Sequence, residues 1–120
     1  MTVKEVIDIC DKTKPNQYDQ EVKIKWLLTL EIRIKNELFL THDNEGKEFT
    51  NLDNFGEDTE LYVGLPYDDI YTLYVGSLID FHNAEYGRYN NTVDLFNSKF
   101  KDFANHYNNT VMPLSEKLKY

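Results

Sequence analysis

Residues 86–107 read Tyr86-Gly-Arg-Tyr89-Asn-Asn-Thr-Val93-Asp-Leu-Phe96-Asn-Ser-Lys-Phe100-Lys-Asp-Phe103-Ala-Asn-His-Tyr107, and this stretch decides the fold. Tyr86, Tyr89, Val93, Phe96, Phe100, Phe103 and Tyr107 recur at alternating steps of three and four. That rhythm keeps side chains on one face of an α-helix. Between them stand Arg88, Asn90, Asn91, Asp94, Asn97, Lys99, Lys101, Asp102 and Asn105, with Leu95 and Ala104 the apolar exceptions. A single aromatic seam on a polar helix has to be covered by another helix, with coiled-coil-like spacing.

The segment upstream supplies that cover. After Leu65-Pro66-Tyr67, Asp68 and Asp69 occupy a predicted first turn, where the helix dipole favours anions. From there to Phe81 the sequence is apolar nearly all round, with Asp69, Thr72, Gly76 and Asp80 as a thin polar or small-residue strip. Such a helix is expected at the centre of the domain. The break between these third and fourth helices falls near His82 to Gly87, and Met112-Pro113 ends the fourth.

Two further helices complete the set. The first is predicted over Val3 to Lys12, opened by a capping box of Thr2 and Glu5 and stopped by Pro15. Its apolar stripe is Val3, Val6, Ile7 and Cys10. The second is predicted from an Asp19 N-cap to Leu40. One stripe on it is Val22, Trp26, Leu27, Leu30, Ile34 and Leu38; a second, on another face, is Ile24, Leu28, Ile32 and Phe39. Two apolar faces mean either deep burial or a second contact surface, whose partner is either the loop residues Phe49, Leu52 and Phe55 or a neighbouring subunit. The predicted architecture is one all-α domain over residues 1–120, with four helices, an acidic loop at about 41–66 and a flexible tail at about 113–120.

Composition agrees with a packed domain. Nine Tyr and seven Phe among 120 residues supply large rings for the core. The lone Cys10 cannot close an intramolecular disulfide, so a reducing compartment is expected. Charged Met1-Thr-Val-Lys-Glu5 does not read as a signal peptide, and no apolar run approaches a membrane span. The sequons at Asn90 and Asn108 are accordingly expected to stay unmodified.

Charge is unevenly placed. Between Asp43 and Asp69 lie nine acids and one base, Lys47, which together carry the whole formal charge of −8. The remaining twelve acids and twelve bases cancel. No basic patch exists to track phosphates, so sequence-specific nucleic-acid binding is not expected. Asp43, Glu45, Glu48, Asp53, Glu57, Asp58 and Glu60 make the loop a candidate channel or docking element. Phe49, Leu52 and Phe55 are its apolar anchors.

No catalytic motif emerges. The scattered glycines form no phosphate loop. His82-Asn-Ala-Glu85 stands alone and in reversed order for a di-metal bundle, and reads as a helix end. Cys10 lies on an apolar stripe, where a thiol is a small hydrophobe before it is a nucleophile for His42, His82 or His106. The acidic loop lacks the Asp/Asn alternation and closing Glu of an EF-hand. No catalytic, cofactor or metal residue is assigned, and no cofactor is expected.

The runs Leu65-Pro-Tyr-Asp-Asp-Ile-Tyr-Thr-Leu-Tyr74, Ile79-Asp80, Asn83-Ala-Glu-Tyr-Gly-Arg-Tyr-Asn-Asn-Thr92 and Phe96-Asn97 resemble a family of Firmicutes prophage proteins from head-gene clusters. Met1-Thr-Val-Lys-Glu-Val-Ile-Asp8, Lys14-Pro15-Asn16 and Lys23-Ile-Lys-Trp26-Leu27 share the resemblance, which spans the chain except for 41–58. More remotely, these proteins resemble the head–tail connector, or head-completion adaptor, proteins of long-tailed phages. The resemblance implies a non-enzymatic virion protein, assembled in the bacterial cytoplasm as a ring of its own copies. Its partners would be the portal protein and a tail-side connector. Ile24, Leu28, Ile32, Phe49, Leu52 and Phe55 are the candidate subunit interface. Two other readings remain open: a small phage-encoded regulatory or host-interaction protein acting as a dimer, and an enzyme or metal-binding bundle.

Overall fold

A computed structural model describes residues 1–39 and 52–110. Asp43, Glu45, Glu48, Phe49, the side chain of Leu52 and the tail from 113 lie outside the described residues. Among the described residues, four α-helices form an all-α domain: α1 (Val3–Thr13), α2 (Gln20–Ile34), α3 (Asp69–His82) and α4 (Tyr86–Thr110).

The start of α1 follows its sequence. Thr2 Oγ1 accepts from the Glu5 N–H at 3.3 Å, and the Glu5 carboxylate accepts from the Thr2 N–H at 3.4 Å. Two more amides of this first turn would be orphans in an isolated helix. The Val3 N–H donates to the Thr59 carbonyl at 3.0 Å, and the Lys4 N–H to that of Glu57 at 2.9 Å. The Leu61 N–H returns a bond to the Met1 carbonyl at 3.0 Å. Residues 57–61 therefore lie across the N-terminus of α1 and, continued by Tyr62 and Val63, form a strap. The periodicity leaves 41–66 featureless, yet backbone pairing of this kind needs no side-chain pattern.

The second helix departs from expectation. Asp19 stands at its N-cap without a side-chain cap, and the α-helix closes at Ile34 rather than Leu40. A π-helical turn, Lys35–Phe39, follows. The wider turn takes adjacent Leu38 and Phe39 both into the core, at 6% and 7% exposure. Phe39 therefore leaves the outward stripe assigned to it and packs on Tyr62 and Tyr107, with ring centroids 5.0 and 5.4 Å away.

Central α3 packs against α1, α2 and α4. Ile70, Tyr71, Val75 and Ile79 are wholly buried. The thin strip on α3 is the seat of α1: the Cys10 thiol donates to the Thr72 carbonyl at 3.5 Å, and the Lys14 stem passes over Gly76. A Cβ at Gly76 would lie 3.0 Å from Lys14 Cε. A seam of small and polar groups allows that close approach, which is why Gly76 and Asp80 are buried.

On α4, Phe96, Phe100, Phe103 and Tyr107 are buried as the spacing requires, while Tyr89 and Val93 are half-buried. Tyr86 is not part of this core; it is 57% exposed. The reason is geometric. α3 has ended at His82, so Tyr86 finds only the rim ring of Phe81, 6.0 Å away. Between the helices the Glu85 N–H donates to the Asp80 carbonyl and the Ala84 N–H to that of Phe81. This is a Schellman closure with Ala84 at φ 60°, where glycine is usual.

Candidate functional site

The residues that sequence places in a subunit interface divide three ways. Ile24 and Phe55 are half-buried and pack against the chain's own core. Leu28 is half-buried, and Ile32 is 44% exposed. Backbone geometry places Leu52 in a short 3-10 turn, Leu52–Asn54. The helical step of α2 explains the gradation: Ile24, Leu28 and Ile32 recur every four residues and drift progressively off the buried stripe of Leu27, Leu30 and Ile34. The outward end of that drift is an apolar edge.

Among the acidic candidates, Asp53, Glu57, Asp58 and Glu60 are exposed. The Glu60 carboxylate lies 2.8 Å from the amino group of Met1. The strap thus turns its acids outward while its own Leu61 and Val63 are buried, at 4% and 3% exposure.

Beneath the strap lies a polar centre absent from the sequence reading. Glu31 is wholly buried. Its carboxylate accepts from the Tyr71 hydroxyl at 2.5 Å and from the Tyr62 N–H at 2.9 Å. The Tyr71 hydroxyl in turn accepts from the Val63 N–H at 2.9 Å. Burial pushes the Glu31 carboxyl up to about 7, against the opposing pull of its two donors. Tyr71 is pushed above the ordinary phenol value, by burial first and by the neighbouring Glu31 charge second. The signal was present: Glu31 stands at the i+4 position from Leu27 and the i−3 position from Ile34, inside the apolar stripe.

Lys23, i−4 from Leu27, is likewise buried at 3% exposure and meets Asp11 at 2.5 Å. Cys10 is buried, and its thiol is pushed up to about 12 by burial and then by Asp11, leaving almost no thiolate at neutral pH. Its partner is the Thr72 carbonyl and not a histidine. His82 ends α3 and stacks parallel on Trp26 with centroids 5.5 Å apart; His106 lies 5.1 Å from the Tyr67 ring. His42 is outside the described residues. Among the described residues no group of three or more His, Cys, Asp or Glu side chains converges to hold a metal, and no helix is long and apolar enough to cross a membrane.

Two surfaces complete the inventory. At one end of the bundle Tyr18, Trp26, Phe81, His82 and Tyr86 form a ring cluster, with Phe81 45% exposed. Tyr18 donates to Asn83 Oδ1 at 2.7 Å, and the Asn83 amide donates to the Pro15 carbonyl at 3.1 Å, fixing this corner. At the other end a cleft of about 350 Å³ runs between Phe39, Tyr62, Tyr67, Phe103 and Tyr107. Comparison with known protein families, with curated proteins and with solved structures finds no match.

Proposed function

We propose that this chain is a structural subunit of a tailed-phage particle, a head–tail connector or head-completion adaptor that forms a ring of its own copies between the portal and a tail-side connector. The reading begins from the prophage head-cluster resemblance of residues 65–97 and of the N-terminal runs. The observation that supports it is the edge of α2, from half-buried Leu28 to Ile32 at 44% exposure, on a helix whose Leu27, Leu30 and Ile34 are already buried in the chain's own core while Val22 of the same stripe is 40% exposed. An apolar edge meeting a different surface of the next copy makes a heterologous contact, and such contacts close into rings when the rotation permits. The outward acids Asp53, Glu57, Asp58 and Glu60 suit a DNA conduit, because like charge keeps phosphates from adhering.

On this reading the protein does no chemistry, and Cys10 is a packing residue. Light scattering on a concentration series, with negative-stain microscopy of the largest species, tests the proposal. The expected result is a monomer that passes to closed rings as concentration rises. Leu28→Glu should keep the monomer's melting temperature and lose the rings, because it buries an unpaired charge at the contact. A Leu28→Glu chain that melts early yet still forms rings would overturn this assignment of the edge. A dimer at every concentration would favour the host-interaction reading instead.

A further inference from the structure

Two of the buried carboxyls among the described residues, Asp80 and Glu31, are treated differently. Asp80 faces the Lys14 ammonium, whereas Glu31 faces only neutral donors, the Tyr71 hydroxyl and the Tyr62 N–H. Those donors come from different elements, so one carboxyl ties α2 to both α3 and the end of the strap. The Tyr71 hydroxyl extends the tie to the Val63 N–H. Two consecutive backbone amides of the strap thus depend on a group that can carry a charge in a place poorly suited to one.

We propose that Glu31 is a proton-operated latch on residues 57–63, which holds the strap over α1 when protonated and loosens it when ionised. The inference stands independently of any role in a phage particle. Among the described residues, the titratable groups around Glu31 and the strap include the Met1 amine and Asp68. The Met1 amine pairs with Glu60 at 2.8 Å and is raised above its ordinary 8.0 by that hydrogen bond first, and Asp68 is buried at the start of α3. The phenols of Tyr62 and Tyr71 face Glu31, and both are pushed upward, by burial first and by Glu31 second, so they stay neutral. From α1 the inward residues are Val3, Val6, Ile7 and Cys10. On α2 itself Arg33 lies over the Phe100 ring and pairs with Glu37, and Lys35 is exposed. The strap's own acids Glu57, Asp58 and Glu60 point outward.

The direction of the switch follows from linkage. With the strap docked, the carboxyl holds its proton to about 7; released into water it returns to the ordinary 4.5. Docking therefore takes up a proton between those values. The docked strap is favoured most below the lower value, and the preference falls by at most about tenfold per pH unit as pH climbs through about 5 to 7. Above about 8 both forms are ionised and the preference is flat.

Two measurements on the full chain test this. The ¹³C resonance of the Glu31 carboxyl reports its own titration, and amide hydrogen exchange, corrected for intrinsic rate, reports opening at Tyr62 and Val63. The latch predicts a Glu31 midpoint near neutrality and protection of both amides that drops by roughly fiftyfold from pH 5 to pH 8. In Glu31→Gln, which cannot ionise, that protection should not vary with pH. A midpoint in the ordinary glutamate range would overturn the proposal. So would a high midpoint with Tyr62 protection that is level across pH, or an equal pH dependence in Glu31→Gln.

Discussion

The Lys14 ammonium sits 2.8 and 3.0 Å from the two carboxylate oxygens of Asp80, a residue 66 positions away that is 1% exposed. The Thr92 hydroxyl donates to the same carboxylate at 3.1 Å. One buried acid thus joins the end of α1 to α3 and to α4.

Removing the cation alone should be costly, because Asp80 would keep its charge with only a hydroxyl for company. Lys14→Met is expected to lose about 3 kcal/mol in urea unfolding. The double change Lys14→Met with Asp80→Leu should recover most of that, since an apolar pair of similar volume leaves no buried charge. A single Lys14→Met within about 0.5 kcal/mol of the parent would show that the Lys14–Asp80 pair contributes little to stability.

The α4 seam predicts a contrast between two rings on one helix. Phe100, 8% exposed and covered by the Arg33 guanidinium 4.5 Å from its centroid, should cost about 3–5 kcal/mol when cut to alanine. Tyr86→Ala, beyond the end of α3, should stay within about 0.5 kcal/mol. Thermal melts of the two variants distinguish them, and equal shifts would mean that the seam is evenly loaded.

The α3–α4 turn offers a gain in stability. Ala84 is held at φ 60°, which costs an L-residue about 1–2 kcal/mol, part of it offset by the greater unfolded-state freedom of glycine. Ala84→Gly should stabilise by about 0.5–1 kcal/mol. Gly87 lies inside α4, and a Cβ there meets nothing within 4 Å, so Gly87→Ala should add a similar amount. A lower melting temperature for Ala84→Gly would contradict the left-handed turn.

Cys10 should be inert in the folded state. With its thiol pushed up to about 12, it should react with a disulfide reagent at pH 7–8 only as fast as the domain opens. Labelling should speed up with urea, and its pH dependence in this range should be that of the opened chain's ordinary thiol. Stoichiometric labelling within the mixing time would place the thiol at the surface.

Much of this fold could be read from periodicity. The α4 seam and the α1 stripe are single faces, and single faces leave an unambiguous mark at steps of three and four. Glu31, Lys23 and Asp80 were harder, because each is a charged residue at a buried position and its partner is remote in sequence or is backbone. The turn at Ala84 was hidden for another reason: glycine normally marks such a place, and here the nearby glycine, Gly87, is helical. The strap over α1 left no pattern at all, since carbonyls and amides are the same in every residue. Among the interface candidates, helical drift could order Ile24, Leu28 and Ile32 by exposure, but Phe55 turned inward through a contact that sequence does not encode locally.

The hydrogen bonds from Val3 and Lys4 to Thr59 and Glu57 also bear on the order in which the chain is made. The carbonyls that finish the opening turn of α1 follow it in the chain by more than fifty residues. Until they emerge α1 lacks its complement, and its apolar stripe has no α3 to lie on. This helix is therefore completed late, and α1 with α2 alone is not a self-sufficient folding unit.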